Sequence, residues 1–177
     1  MEKCAEKFVL LVVSAFMLGC SPESNRSLDP VVIADEFAKS PTSASVDYRK
    51  KWDGNQLTEL DRTTLAGELL RADSPRGAEY LAQIRASARS DDPEIAAAAA
   101  NSLRNANDDE SLDMLEELSA SHKPQVARAA AHSFGYKRQE IVGGELAGPD
   151  ATRVELRLGR ICSRSPLVGY VRELVCD

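Results

Sequence analysis

Two histidines, four cysteines and a block of carboxylates are the side chains of this 177-residue sequence that could carry chemistry. His122 and His132 stand ten residues apart, one in a turn-like stretch and one inside a helix-like one. A metal centre would need closer partners with acid or thiol ligands on the same face, so both read as surface or packed histidines and no metal site is expected. Cys162 and Cys176 lack C-x-x-C spacing, which leaves thiol catalysis without a motif. Neither a glycine-rich phosphate loop nor a serine nucleophile elbow occurs. No catalytic residue, cofactor or enzymatic reaction is therefore expected.

The carboxylates are more informative. From Asp91 to Ser121 nine acids face Arg104 alone, whereas from His122 onward nine basic residues stand against six acids. In "DESLDMLEEL" Leu112, Leu115 and Leu118 recur at three-residue steps, which predicts one buried helix face and turns Asp109, Asp113, Glu116 and Glu117 outward. This face is either simply solvated or a patch receiving a basic protein surface. A formal charge of −6 with pI near 5.1 argues against nucleic acid, whose phosphates call for Lys and Arg, and favours cationic partners. "YRKKW", 48–52, holds the sole Trp, either an anchor for a partner or a residue of a terminal cap.

The elements that must carry these residues show themselves in an internal repeat. A shift of 31 residues lays "PEIAAAAANSL", 93–103, on "PQVARAAAHSF", 124–134, matching prolines, serines and flanking apolar residues as well as alanines. The same shift sets Leu81 on Leu112 and Ile84 on Leu115. A fixed period of this size marks stacked units, each a helix, a turn and a helix. Asp92 caps and Pro93 opens the middle unit, "NANDD" breaks it, and the preceding unit breaks at "DSPRG" between Leu65, Leu69, Leu70 and Tyr80, Leu81, Ile84. The following unit keeps its first helix, but Gly143 and Gly144 argue against a long helix in "KRQEIVGGELAG".

A helix covered by neighbours before and behind can be smooth, because alanine lets axes approach toward the short end of roughly 8–10 Å. Burial of the Ala96–Ala100 run predicts overpacking by Ala98→Leu and Ala99→Leu alike. With 5% aromatics and this alanine content, the fold class expected is all-α, a short α-solenoid. "DPEIAAAAANSL" and "KPQVARAAAHSF" resemble the HEAT-like repeats of phycobilin lyases and many bacterial proteins, and the resemblance spans about residues 61–135. The expected domains are repeats over 57–145, an N-terminal cap over 28–56 and a helical C-terminal cap over 146–177. In the first cap a short helix opens at Asp29 and Pro30 and is followed by a loop, "SPTSAS". In the second, residues 153–161 fit helix or strand, with helix preferred, and Ser165–Pro166 open a last helix.

Ahead of these lies "FVLLVVSAFML", 8–18, the length of a signal-peptide core and too short for a permanent span. With the following Gly19 and Cys20, "FMLGC" resembles the lipobox of bacterial lipoproteins. The resemblance implies a signal peptide over 1–19, a lipid-modified Cys20 and a tether over 20–27. More than one acyl chain, at about 0.8 kcal/mol per buried CH₂, makes such an anchor effectively permanent. Ser21 then implies the outer membrane, facing the periplasm, where the source is Gram-negative. In that oxidising space Cys162 and Cys176 are the remaining thiols, readable as an intrachain disulfide, as free thiols or as a bond to another chain. A straight final helix would hold them too far apart, so a disulfide requires the chain to double back.

Together these readings predict a non-enzymatic envelope lipoprotein that binds another envelope or secreted protein, as an immunity or inhibitor protein or as an assembly factor. The repeat resemblance implies the alternative, a lyase-like enzyme acting on a bound tetrapyrrole.

Overall fold

The computed structural model describes residues 28–54, 57–72, 74–164, 172 and 174–176. Cys20 with its signal-like context, and most of the last helix expected after Ser165, lie outside the described residues. The described chain is all-helical: α1 (Pro30–Lys39), α2 (Pro41–Asp53), α3 (Glu59–Ala72), α4 (Gly77–Ala88), α5 (Pro93–Ser102), α6 (Asp109–Ser119), α7 (Pro124–Val142) and α8 (Gly148–Ser163), with 3₁₀ turns at Ser74–Arg76 and Leu103–Asn105.

Local chemistry sets the boundaries. Five of the eight helices carry proline in their first turn, where its missing N–H leaves no partner unsatisfied. Asp29, Asp92 and Asp108 are N-caps whose carboxylates accept from Val31 N, Glu94 N and Ser111 N. Between α7 and α8 the backbone turns left-handed at Gly144 (φ +77°) and Gly148 (φ +64°), conformations that glycine adopts without steric cost.

These helices pair as hairpins stacked in two layers. α1, α3, α5 and α7 form the first, α2, α4, α6 and α8 the second. Leu28 N–H donates to Asp61 Oδ1 at the start of α3, and Lys123 Nζ donates to Asp91 O at the start of α5. Arg104 meets Glu68, and Lys137 meets Arg104 O, at the opposite ends. The first-layer helices therefore run parallel, their N-termini along one edge.

The alanine run is the joint of this layer. α5 packs most extensively against α7 and α3. Ala99, Ala100 and Leu103 are fully buried, as are Leu65, Ala66 and Leu69 of α3 and Ala130, Ala131 and Phe134 of α7. Ser102 Oγ donates to Thr63 O (3.1 Å) and Ser133 Oγ to Ala100 O (2.8 Å), so serines one period apart each bond a backbone carbonyl of the preceding first-layer helix. A Cβ on Gly67 would lie 2.6 Å from Ser102 Oγ, and the α3–α5 approach needs its absence.

Three local expectations are revised. "SPTSAS" is the first turn of α2, because Ser40 alone separates it from α1, Pro41 is pre-set for the first turn, and Ser45 Oγ donates to Thr42 O. "KRQEIV" continues α7, and Gly143–Gly144 end that first helix instead of interrupting a second. The second helix of this unit is α8, whose helical 153–161 segment was placed in the C-terminal cap. Val154 and Ile161 are fully buried. Beyond it, Cys176 is bonded to Cys162, with Cα atoms 5.6 Å apart. Val175 is buried, its carbonyl accepts from Arg138 Nη1 (3.4 Å), and Leu174 O lies where a Cβ on Gly135 would approach to 3.2 Å. The C-terminal residues thus cover the end of α7 where a further first-layer helix would stack.

Candidate functional site

The second layer is tied to itself. Arg76 on the turn before α4 pairs with Asp53 of α2 (2.9 Å). Arg85 of α4 pairs with Asp108 and with Glu110 of α6 (2.7 Å). Arg157 of α8 reaches Asp109 (2.7 Å) and Asp113 (2.9 Å) of α6, while Arg160 (2.6 Å) and Arg164 converge on Glu116. Asp109, Asp113 and Glu117 are exposed, as expected of an outward acidic face on α6, and Glu116 is the exception. Leu112 and Leu115 are buried as expected, but Glu116 is buried too, only 8% exposed, and Asp109 and Asp113 hold an arginine 7% exposed. Of the four carboxylates only Glu117 is exposed without an ion-pair partner among the described residues. Helix periodicity in α6 could not register the basic stripe of α8, some 45 residues away.

Other singled-out residues are structural. Trp52 is buried, packs edge-on to Tyr80 (5.0 Å) and donates from Nε1 to Glu79 Oε1 (2.7 Å). It closes the α2–α4 contact and offers no anchor to a partner. The Trp52 hydrogen bond and the Arg76 guanidinium hold the Glu79 carboxyl below the usual carboxylate range. Burial opposes ionisation of Asp108, but the Ser111 hydroxyl and amide and the Arg85 guanidinium outweigh it and lower its pKa. Lys137 is fully buried, and its ammonium donates to Arg104 O (2.8 Å), Ala106 O (2.7 Å) and Asn107 Oδ1 (2.6 Å), with no carboxylate in contact. Burial pushes its pKa down to about 8, against the weaker pull of Glu140, Asp108 and Asp150. It secures the 3₁₀ turn that follows α5 and the two residues after that turn. Among the described residues no group of His, Cys, Asp and Glu is arranged to hold a metal ion, and His122 and His132 are both exposed.

The first layer leaves an open surface. A groove of about 820 Å³ crosses α1, α3, α5 and α7, with Leu28, Val31, Leu60, Ala97, Ala98 and Tyr136 among its lining. Val31 and Tyr136 are 75% and 52% exposed, large for apolar and aromatic side chains. Ala97 and Ala98 are half-buried in it, unlike Ala96, Ala99 and Ala100 beneath. The alanine run therefore serves two purposes, a packed joint on one side and a shallow floor on the other. Glu68 is bound by Arg71 (3.1 Å) and Arg104 (3.3 Å), and the Arg104 guanidinium stacks over the Tyr136 ring (5.4 Å), which firms the far wall.

Small residues draw the first-layer helices together, whereas arginine side chains span the gaps of the second. The first layer is the more closely packed of the two, and its outer surface carries the groove. Sequence reasoning missed Thr64, Gly67, Asn101 and Tyr136 as groove residues. The signal for two of them was present, since the 31-residue shift places Asn101 on His132 and Asn105 on Tyr136.

No protein-family model matches the chain, and neither a curated protein nor a solved structure is significantly similar to it. The functional reading therefore rests on this geometry. Among the described residues no helix is long and apolar enough to cross a membrane.

Proposed function

We propose that this chain is a non-enzymatic lipoprotein of the bacterial envelope, tethered through lipid on Cys20, whose HEAT-like solenoid holds another protein in its first-layer groove. The groove itself carries the reading: it is floored by small apolar residues and left open, while Asp108, Asp109, Asp113 and Glu116 of the opposite layer are ion-paired. An exposed apolar patch of this kind on a folded domain is a feature of interaction surfaces. Acids at the helix starts and the net charge favour a partner with a basic surface, whether a toxin to be neutralised or a component to be assembled.

Two measurements test the two halves. Fatty-acid labelling in cells should mark the wild type and not Cys20→Ala; an unlabelled wild type beside labelled control lipoproteins rejects the anchor. A photocrosslinking residue at Ala98 should capture a specific protein from intact membranes, and one at Glu117 should not. Capture from Glu117 alone, or from neither position, rejects the groove as the binding face.

A further inference from the structure

The walls of the groove repeat with the helices. Ser102 bonds Thr63 O and Ser133 bonds Ala100 O, so each first-layer helix is tied to the one before it by a serine hydroxyl. Thr64 of α3, Asn101 of α5 and His132 of α7 are each the chain neighbour of a residue in these bonds, and all three line the groove. None of the three side chains makes a hydrogen bond within the protein among the described residues. Other polar side chains of the layer are used up: Asn105 Nδ2 donates to Gly67 O (2.8 Å) and Glu68 is held by two arginines. A row of unspent donors and acceptors thus crosses the groove, one per helix.

Its spacing matches a particular ligand. Packed helices lie roughly 8–10 Å apart, so hydrogen-bonding side chains recur across the groove at about that interval. An extended polyproline-II chain advances about 3.1 Å per residue with three residues per turn, and so presents the same aspect of its backbone every 9 Å or so. It has no internal hydrogen bonds, which leaves its carbonyls and amides free for a hydroxyl, an amide and an imidazole. A helical ligand satisfies its own backbone and could not use such a row.

Charge narrows the ligand further. Glu94 lines the groove, and Glu59 and Asp91 stand exposed at the same N-terminal edge of the layer. Glu94 has no ion-pair partner among the described residues, whereas at the opposite edge the Glu68 carboxylate is shared by Arg104 and Arg71, which leaves those three groups net positive. We infer that the groove binds an extended, proline-tolerant peptide segment of its partner, its backbone on Thr64, Asn101 and His132, apolar side chains on Leu60, Ala97 and Ala98, and cationic side chains toward Glu94. This deepens the proposed protein-binding role and rests on it.

The test is selection of a random dodecapeptide library on the full lipidated chain in detergent micelles, followed by fluorescence anisotropy of a recovered peptide. Recovered sequences are expected to be rich in Pro and in Lys or Arg. Asn101→Ala and His132→Ala should each weaken binding about 5- to 10-fold, Glu94→Lys at least as much, and Glu117→Ala not at all. Circular dichroism melting controls folding, and Ala98→Trp offers a second variant that blocks the groove while leaving the hydrogen-bonding row in place. Lack of enrichment, amphipathic-helical or acidic sequences, or binding indifferent to Asn101 and His132 overturns the inference. If Ala98 still captures a membrane partner under any of those results, the protein-binding role survives and only the extended cationic ligand is rejected.

Discussion

The two layers of the solenoid descend from the same hairpin yet hold together by opposite means. Between first-layer helices the contacts are short: Gly67 against Ser102, and Ala99 and Ala100 buried to zero exposure with serine hydroxyls on backbone carbonyls. Between second-layer helices the contacts are long: Asp53–Arg76, Arg85–Asp108 and the Arg157–Asp109–Asp113 cluster. Short contacts tolerate no added atom, while long ion pairs consume the polar groups of their own surface. The layer with the tighter core consequently keeps the freer surface. That contrast separates the acidic segment of α6, exposed but largely ion-paired, from the groove of the first layer.

The largest predicted effect concerns the end of the stack, where a covalent bond supplements the burial of Val175 and its hydrogen bond from Arg138. Cys162 and Cys176 close a short loop, with a sequence separation of 14. Replacing both by serine should lower stability by about 3 kcal/mol, chiefly by releasing the unfolded chain. Chemical denaturation of wild type and variant measures it. Unchanged stability would mean that the C-terminal residues hold to α7 through Val175 and Arg138 without help.

The sequence showed more of the first layer than of the second. Alanine, proline and serine recurring at 31 residues identify α5 and α7 directly, since close helix packing admits few alternatives to small residues. The disulfide was legible as one of three fates for Cys162 and Cys176, because distance along a chain does not determine return in space. Less was legible where a contact joins residues without a shared period. Arg157 meets Asp109 across 48 residues, and Lys137 meets Ala106 O across 31 without any aligned partner that announces a buried ammonium. Gly67 was invisible for a different reason: an isolated glycine in a helix pattern carries no sign of which neighbour comes close to it.

Lys137 sharpens the comparison, since it is a charge placed inside the tight layer. Lys137→Met orphans three oxygen acceptors and should cost about 2 kcal/mol, after the ammonium's own burial penalty is offset. Its folded pKa of about 8 lies below the ordinary 10.5, so between those values the unfolded chain holds more proton than the folded one. By linkage this group's contribution to stability rises as pH is raised from about 8 to about 10.5. Subtracting the pH–stability curve of Lys137→Met from that of wild type should expose the rise. A flat difference would place water or a carboxylate beside the ammonium.

A pair of substitutions on adjacent alanines separates core from floor. Ala99→Leu inserts bulk where exposure is zero and should destabilise by about 1–3 kcal/mol. Ala98→Leu extends into the open groove and should cost less than about 0.5 kcal/mol, contrary to the equal effects that the sequence suggests. Gly67→Ala belongs with Ala99→Leu, because its new methyl would meet Ser102 at under 3 Å. Equal melting temperatures for the two leucine variants would make the groove floor part of the core and remove the distinction between the two sides of α5.

The smallest expected effect on stability is the most discriminating. Thr64, Asn101 and His132 face the groove without intramolecular hydrogen bonds among the described residues, so alanine at each should move stability by less than about 0.5 kcal/mol. Arg157→Ala, in the seam of the other layer, removes a guanidinium that is 7% exposed and bonded to two carboxylates, and should cost several times more. Melting curves of the four variants under one condition make the comparison direct. If the groove triad proves as costly as Arg157, those side chains support the fold through contacts of their own. If the triad is neutral, three polar side chains, one from each of three successive first-layer helices, line an apolar floor with no structural task, and a ligand is what remains to account for them.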